Sequence, residues 1–208
     1  MSASSERNVI FDFGGVLIRW KPQEIIDHFY RDEALRAKLR EEVFQHPDWL
    51  DMDRGTLDDA QAVQRFAARM NRPAAEMRDL LERVKESLVP MQDSLDLVNG
   101  LAERGIPVYG LSNMSPSTFQ HLEARHAIWT VFRGIVISGH IKLVKPDPRI
   151  FEHISTTYGL VPGRTAFIDD LEPNVEAATR HGFRGIQFES AAQCRAALDA
   201  WLDTGEAS

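Results

Sequence analysis

Residues 9–17 read VIFDFGGVL, and the order of residue types in this stretch decides the fold. Three apolar residues, Val9, Ile10 and Phe11, run into an acid, Asp12, and the chain then turns through Gly14 and Gly15. A short apolar run closed by glycines has the pattern of a buried strand ending in a tight loop. A carboxylate at the carboxyl end of such a strand is costly to bury without a partner. Asp12 therefore has two readings. It is either an acid capping its own loop, or a carboxylate nucleophile at the mouth of a parallel sheet, where α/β folds bind their ligands.

Working outward, residues 19–90 carry helical patterns and no strand candidate. Helices are expected over 23–30 and 33–45, followed by an interruption at His46-Pro47-Asp48-Trp49. Asp53-Arg54-Gly55 is a turn signal. Thr56, with Asp59 three residues on, is expected to cap a helix running to about Met70. Pro73 opens another helix toward Leu88. From Pro90 the texture changes to alternation. Helix 94–104 stops at Gly105, and strand 107–111 closes in Ser112-Asn113. A helix over about 116–125 precedes strand 134–138. Asp147 caps, and Pro148 opens, helix 149–158, which Gly159 stops. Strand 165–168 ends in Asp169-Asp170, and Pro173 opens helix 174–181. Strand 185–188 and helix 191–202 finish the chain. Strands alternating with helices at this spacing imply a parallel sheet covered on both faces. The expected architecture is a doubly wound, Rossmann-like α/β core of residues 1–18 and 91–208, with an all-helical cap, residues 19–90, inserted after the first strand.

The 208 residues are 43% hydrophobic and 26% charged, an ordinary globular composition with enough chain for one sizeable core. A net charge of −7 with no basic block argues against nucleic acid as a partner. An anionic ligand would be held through a local cation or metal. Cys194 is the single cysteine, so no intrachain disulfide forms, which suits a reducing, cytoplasmic setting; Cys194 reads as packing. The opening MSASSERN lacks the apolar core of a signal peptide, and no apolar run approaches the roughly 20 residues a spanning helix needs, so no membrane is expected as a partner. Trp201 suits either a core or an interface.

Four polar places now fall into equivalent positions. Asp12, Ser112 and the pair Asp169-Asp170 each follow an apolar strand, and Lys145 precedes a helix. In a parallel sheet these edges converge on one crevice. A carboxylate can attack, a hydroxyl and an ammonium can hold an anion, and a second acid can hold a divalent cation. Each feature alone has an ordinary structural reading: a turn, a solvated lysine, a helix cap. Four in this order and context favour the site.

The stretches FDFGGVL, GLSN, KPDPRIF and FIDDLEPNVEAA resemble the four motifs of the haloacid dehalogenase-like hydrolases, across nearly the whole chain. Within that superfamily the chain is most similar to the branch with a small helical cap, which includes bacterial glucose-1-phosphate phosphatases and the amino-terminal phosphatase domain of epoxide hydrolases. The resemblance implies that Asp12 is the nucleophile and that Ser112 and Lys145 bind phosphate. It implies that Asn113 assists through its backbone or side chain. It places Mg²⁺ on Asp12, on the backbone carbonyl of Gly14 and on Asp170. Asp169, standing where the family has glycine, is then a supporting or alternate ligand, and Asn174 replaces a final Asp.

One departure concerns position 14. Most phosphatases of this kind carry an Asp there that protonates the leaving group and activates water, a task worth about 10²–10⁴ in rate. Glycine supplies the carbonyl but not the acid. The expected activity is that of a Mg²⁺-dependent phosphomonoesterase acting on a small phosphorylated metabolite, a sugar phosphate such as a sugar-1-phosphate, whose leaving oxygen is a weaker base. The alternatives are a 2-haloacid dehalogenase, with Asp12 attacking carbon, and a non-catalytic phosphate-binding module. The paired acids Asp169-Asp170 disfavour the first, because without a cation they would repel a carboxylate substrate. His46, Asp48, Trp49, Asp53 and Arg54 cluster in the cap's one irregular stretch. Of these, His46 titrates nearest neutrality and is the cap residue expected to face substrate.

Overall fold

The computed structural model describes residues 7–204. Strand β1 (Asn8–Phe11) is buried along its whole length and leads into five helical segments. These are α1 (Pro22–Phe29), α2 (Glu33–Leu39) with a π-helical continuation (Arg40–Phe44), α3 (Pro47–Asp53), α4 (Asp59–Met70) and α5 (Ala74–Ser87). After them come α6 (Gln92–Glu103), β2 (Val108–Ser112), α7 (Pro116–Arg125), β3 (Gly134–Ile137), the single turn α8 (Ser138–Ile141) and α9 (Pro148–Tyr158). Strand β4 (Thr165–Asp169), α10 (Glu172–Arg180), β5 (Arg184–Gln187) and α11 (Ala191–Asp203) complete the chain.

The sheet order is β3-β2-β1-β4-β5, and every pairing is parallel. Val9 and Phe11 pack with Leu97 and Leu101 of α6 and Leu198 of α11. Ile10, on the other face, packs with Phe151 and Ile154 of α9 and Ala178 of α10. Burial on both faces is why the strand reads as a continuous apolar run rather than an alternating one. The order reverses at β1, with β2 on one side and β4 on the other, and this switch point is where open α/β sheets bind ligands.

Helices α1 to α5 enclose a separate apolar cluster that includes Ile26, Leu39, Phe66, Met77 and Leu80. The chain enters and leaves this insert through two adjacent segments. Arg19 N–H donates to Val89 O and Met91 N–H to Leu17 O, both at 2.8 Å.

Local details depart from sequence expectation in three places. The cap of α4 is Asp58 rather than Thr56; its carboxylate accepts from Gln61 N–H while the Gln61 amide returns the bond. Asp ranks above Thr as an N-cap, and the box is completed from Asp58 with Gln61. The supposed interruption at 46–49 is a helix start: Pro47 sits in its first turn and the His46 ring accepts from Asp48 N–H. The turn α8 had no counterpart in the sequence pattern. Asp147 caps α9 as expected, accepting from Arg149 N–H. Cys194 is fully buried, and burial lifts its thiol to about 12, as packing requires. No described helix is long and apolar enough to cross a membrane.

Candidate active site

The carboxyl ends of β1, β2 and β4 bring Asp12, Ser112 and Asp169 to one edge. The loop after β1 is organised by a single carbonyl. Phe13 O accepts from Leu17 N–H at 2.8 Å and Ile18 N–H at 2.7 Å, which leaves Asp12 at the start of a tight turn. Phe13 N–H donates to Asp12 Oδ1 at 2.6 Å. Gly15 carries the positive φ of that turn, +76°, and a Cβ there would stand 2.3 Å from Asp170 Oδ2. Glycine is thus required at 15 both by backbone conformation and by the approach of Asp170.

Lys145 is the hub. Its ammonium reaches Asp12 Oδ1 at 2.8 Å, Asp169 Oδ2 at 2.6 Å and Leu111 O at 3.1 Å, so its three hydrogens have three acceptors. The lysine and both acids are buried. Asn113 sets the position of Lys145 from the main chain: its amide donates to Lys145 O at 3.0 Å and its carbonyl accepts from Lys145 N–H at 2.8 Å. These bonds use one Nδ2 hydrogen, which leaves the other, as well as the backbone, to assist an anion. Ser112 Oγ is buried and has no hydrogen-bond partner among the described residues. An unsatisfied buried hydroxyl costs roughly 1–3 kcal/mol, a cost that an anion placed there would relieve.

Asp169 and Asp170 differ in their surroundings. Asp169 is fully buried and saturated: Asn174 Nδ2 lies 3.0 and 3.1 Å from its two oxygens, and Leu171 N–H donates at 2.9 Å. Asn174 thus holds Asp169 in place. Asp170 is half-buried and, with Gly15, faces an open cleft of about 420 Å³ bordered by Arg19, Trp20 and Lys21. Oxygens of Asp12, Asp169 and Asp170 all lie within 4.8 Å of one another. Burial pushes the Asp12 carboxyl up to about 7; Lys145 pulls it down and Asp169 pushes it further up. Burial and then the charge of Asp169 raise Asp170 also. Burial works against the Lys145 ammonium, but Asp12 and Asp169 outweigh it and hold its pKa above the usual lysine value. Three acids facing one ammonium leave uncompensated negative charge, and these hard oxygen donors suit a small divalent cation such as Mg²⁺.

His46 is not brought to this site. Its Nδ1 caps α3 and lies 3.4 Å from Asp48 Oδ2, within a network in which Arg65 and Arg69 also bind Asp48. The insert instead contributes Asp53 and two stacked tryptophans, Trp20 and Trp49, with ring centroids 5.6 Å apart. With Gly14, Ile18, Val84, Leu88, Asn113, Met114 and Thr118 they surround a cavity of about 90 Å³. Burial lifts the Asp53 carboxyl to about 7 against the pull of Lys145. The sequence sets Asp53 in the cap cluster of 46–54 but does not single it out, because nothing in the sequence records that the turn Asp53-Arg54-Gly55 docks on the sheet edge.

Residues 6–182 match the profile of a family described as haloacid dehalogenase-like hydrolase. A sesquiterpene phosphatase of Aspergillus oryzae is 28% identical over 89% of this chain and 91% of its own. A D-ribitol-5-phosphate phosphatase of Bacteroides thetaiotaomicron is 22% identical over 95% of this chain and 99% of its own. Among solved structures, a HAD family enzyme of the same bacterium, crystallised with magnesium and inorganic phosphate, has 24% identity and a TM-score of 0.71, covering 88% of this chain and 93% of that one. That structural likeness extends the match to the fold.

Proposed function

The chain belongs to the haloacid dehalogenase-like hydrolases, and from that premise we propose that it is a Mg²⁺-dependent phosphomonoesterase acting on a small phosphorylated metabolite through an aspartyl-phosphate on Asp12. The observation that carries this reading is the buried Lys145 bridging Asp12 and Asp169 beside the unpartnered Ser112 hydroxyl and the cleft-facing Asp170. Asp12 attacks phosphorus, the ester oxygen departs, and water then cleaves the acyl phosphate to regenerate the carboxylate. Lys145 orients Asp12 and favours its ionised form against the effect of burial. Ser112 Oγ and the backbone at Asn113 donate to the phosphoryl oxygens. Asp12, Asp170 and the Gly14 carbonyl would hold Mg²⁺, which when bound offsets the charge of the phosphoryl group. Asp169 serves this arrangement from behind, through Lys145 and Asn174. Residues 19–90 act as a cap over the core of 7–18 and 91–204, residues 1–6 and 205–208 of the expected core lying outside the described residues, and a cytoplasmic setting suits the single buried thiol.

A sugar-1-phosphate fits the missing acid at Gly14, because an anomeric oxygen leaves as a weaker base. A second substrate class is favoured by a specific observation. The cavity beside Gly14 is lined largely by Ile18, Trp20, Trp49, Val84, Leu88 and Met114. Such a lining favours hydrocarbon next to the phosphate, since sugar hydroxyls buried there would find few partners. The sesquiterpene phosphatase among the relatives is in keeping with this second class. The acid pair Asp169-Asp170 continues to disfavour a haloacid substrate. The test is turnover of p-nitrophenyl phosphate with Mg²⁺ against an Asp12→Asn control, followed by a panel pairing sugar-1-phosphates with phosphates of apolar alcohols. Equal rates for wild type and Asp12→Asn would overturn the assignment.

A further inference from the structure

We infer that Asp53, carried by the cap, is the catalytic acid that protonates the leaving oxygen, the task left open by glycine at position 14. The inference rests on the phosphomonoesterase reading above. Gly14 and Asp53 face the same cavity of about 90 Å³, one from the nucleophile loop and one from the cap. Position 14 is glycine without steric need. Its φ is not positive, and a Cβ there would meet Trp20 Cβ at an ordinary 3.8 Å. A side chain at position 14 is therefore not excluded by its neighbours, and the cavity that Gly14 lines is lined also by Asp53 of the cap.

The main chain around Asp53 is anchored to the core. Ser138 Oγ donates to Asp53 O at 2.5 Å, and Lys142 Nζ donates to Gly55 O. Gly55, at φ +69°, is pressed so closely on α8 that a Cβ would stand 2.2 Å from Gly139 O. These contacts use the backbone only. The Asp53 carboxyl makes no hydrogen bond or ion pair with any described residue, so it is held in place yet free to exchange a proton. A carboxyl lifted by burial to about 7 is populated in both forms near neutrality, as an acid that must then act as a base requires. His46, the other cap candidate, is occupied as a helix cap.

The proton balance closes. As Asp12 bonds to phosphorus and the P–O ester bond breaks, the Asp53 proton passes to the departing oxygen. The Asp53 carboxylate then takes a proton from the water that attacks the acyl phosphate, which releases inorganic phosphate and restores both side chains.

The experiment compares two leaving groups in Asp53→Asn, Asp53→Glu and the double variant Gly14→Asp/Asp53→Asn. The readouts are single-turnover alcohol release from an alkyl phosphate and the p-nitrophenol burst from p-nitrophenyl phosphate. p-Nitrophenolate is a weak base and needs little protonation. Asp53→Asn should slow alcohol release by about 10²–10⁴ and slow the p-nitrophenol burst far less. Glu at 53, or Asp at 14 in the double variant, should restore alcohol release. An equal loss on both substrates would mean a structural role, and no loss on either would mean no role; each outcome overturns the inference while leaving the phosphatase reading intact. A wild type that releases neither alcohol overturns both.

Discussion

Replacing Lys145 by methionine removes the ammonium from between Asp12 and Asp169 while keeping the length of the side chain. The wild-type contacts are 2.8 and 2.6 Å, with all three groups buried. Taking one partner out of a buried ion pair costs about 3–5 kcal/mol, because the remaining charge is left uncompensated. For a chain of this size each kcal/mol moves Tm by about 2–4 °C, so a loss of roughly 6–20 °C is expected where the acids are ionised. The sign of the pH dependence follows from Asp12. Its folded pKa, about 7, lies above the usual 3.8, so its contribution to stability is complete below pH 3.8 and is lost as pH rises through 7. Lys145 is what pulls that pKa down. Without it Asp12 holds its proton to higher pH, and once ionised it lacks its counter-charge. The deficit of Lys145→Met should therefore be largest near pH 8. It should shrink towards pH 4, where Asp12 is protonated with or without the lysine. Thermal unfolding followed by circular dichroism in EDTA, at several pH values between 4 and 8, measures it. A Tm deficit of the same size at every pH would refute the account of Lys145 as the counter-charge of the site.

Further outcomes are expected. Asp12→Asn should abolish turnover and, in EDTA at pH 8, melt at or above the wild-type temperature, since it removes a buried carboxylate whose ionisation disfavours the fold. Saturating Mg²⁺ should raise the wild-type Tm; at 100 times Kd the gain is about 2.7 kcal/mol, and the absence of any shift would contradict the metal assignment. Gly15→Ala should cost more than about 1 kcal/mol because φ is positive there. It should also weaken Mg²⁺ binding in titration calorimetry, because the new Cβ would displace Asp170. His46→Ala should leave kcat near wild type while costing about 1 kcal/mol of stability through the lost cap of α3.

The alternation of apolar strands and capped helices, and the acids at the strand ends, are local in the chain. For that reason β1, β2, β4 and the residues Asp12, Ser112, Asp169 and Asp170 could be read directly, since each strand carries its polar group within one or two positions of its end. The helical character of 19–90 was legible through its periodicity, but the start of α3 was not. His-Pro looks like a break until the imidazole is seen to accept from Asp48 N–H. The cap of α4 was misplaced by two residues because Thr56 and Asp58 both carry capping chemistry and only the backbone geometry chooses between them.

What the sequence by itself determined is the set of candidate polar groups and the strand ends that hold them, because a parallel sheet gathers its carboxyl ends whatever else the chain does. What only the tertiary structure decided is which groups act on one another. Lys145 lies 133 residues from Asp12, and nothing in their spacing records a 2.8 Å contact between them. Asp169 and Asp170 are neighbours with the same chemistry, yet opposite facings along a strand end send one to Lys145 and Asn174 and the other to the cleft. That Asp53 rather than His46 of the same cap cluster lines the cavity beside Gly14 has a related reason. The docking of the cap on Ser138 and Gly139 is a long-range contact set by shape, and short-range sequence pattern carries no trace of it.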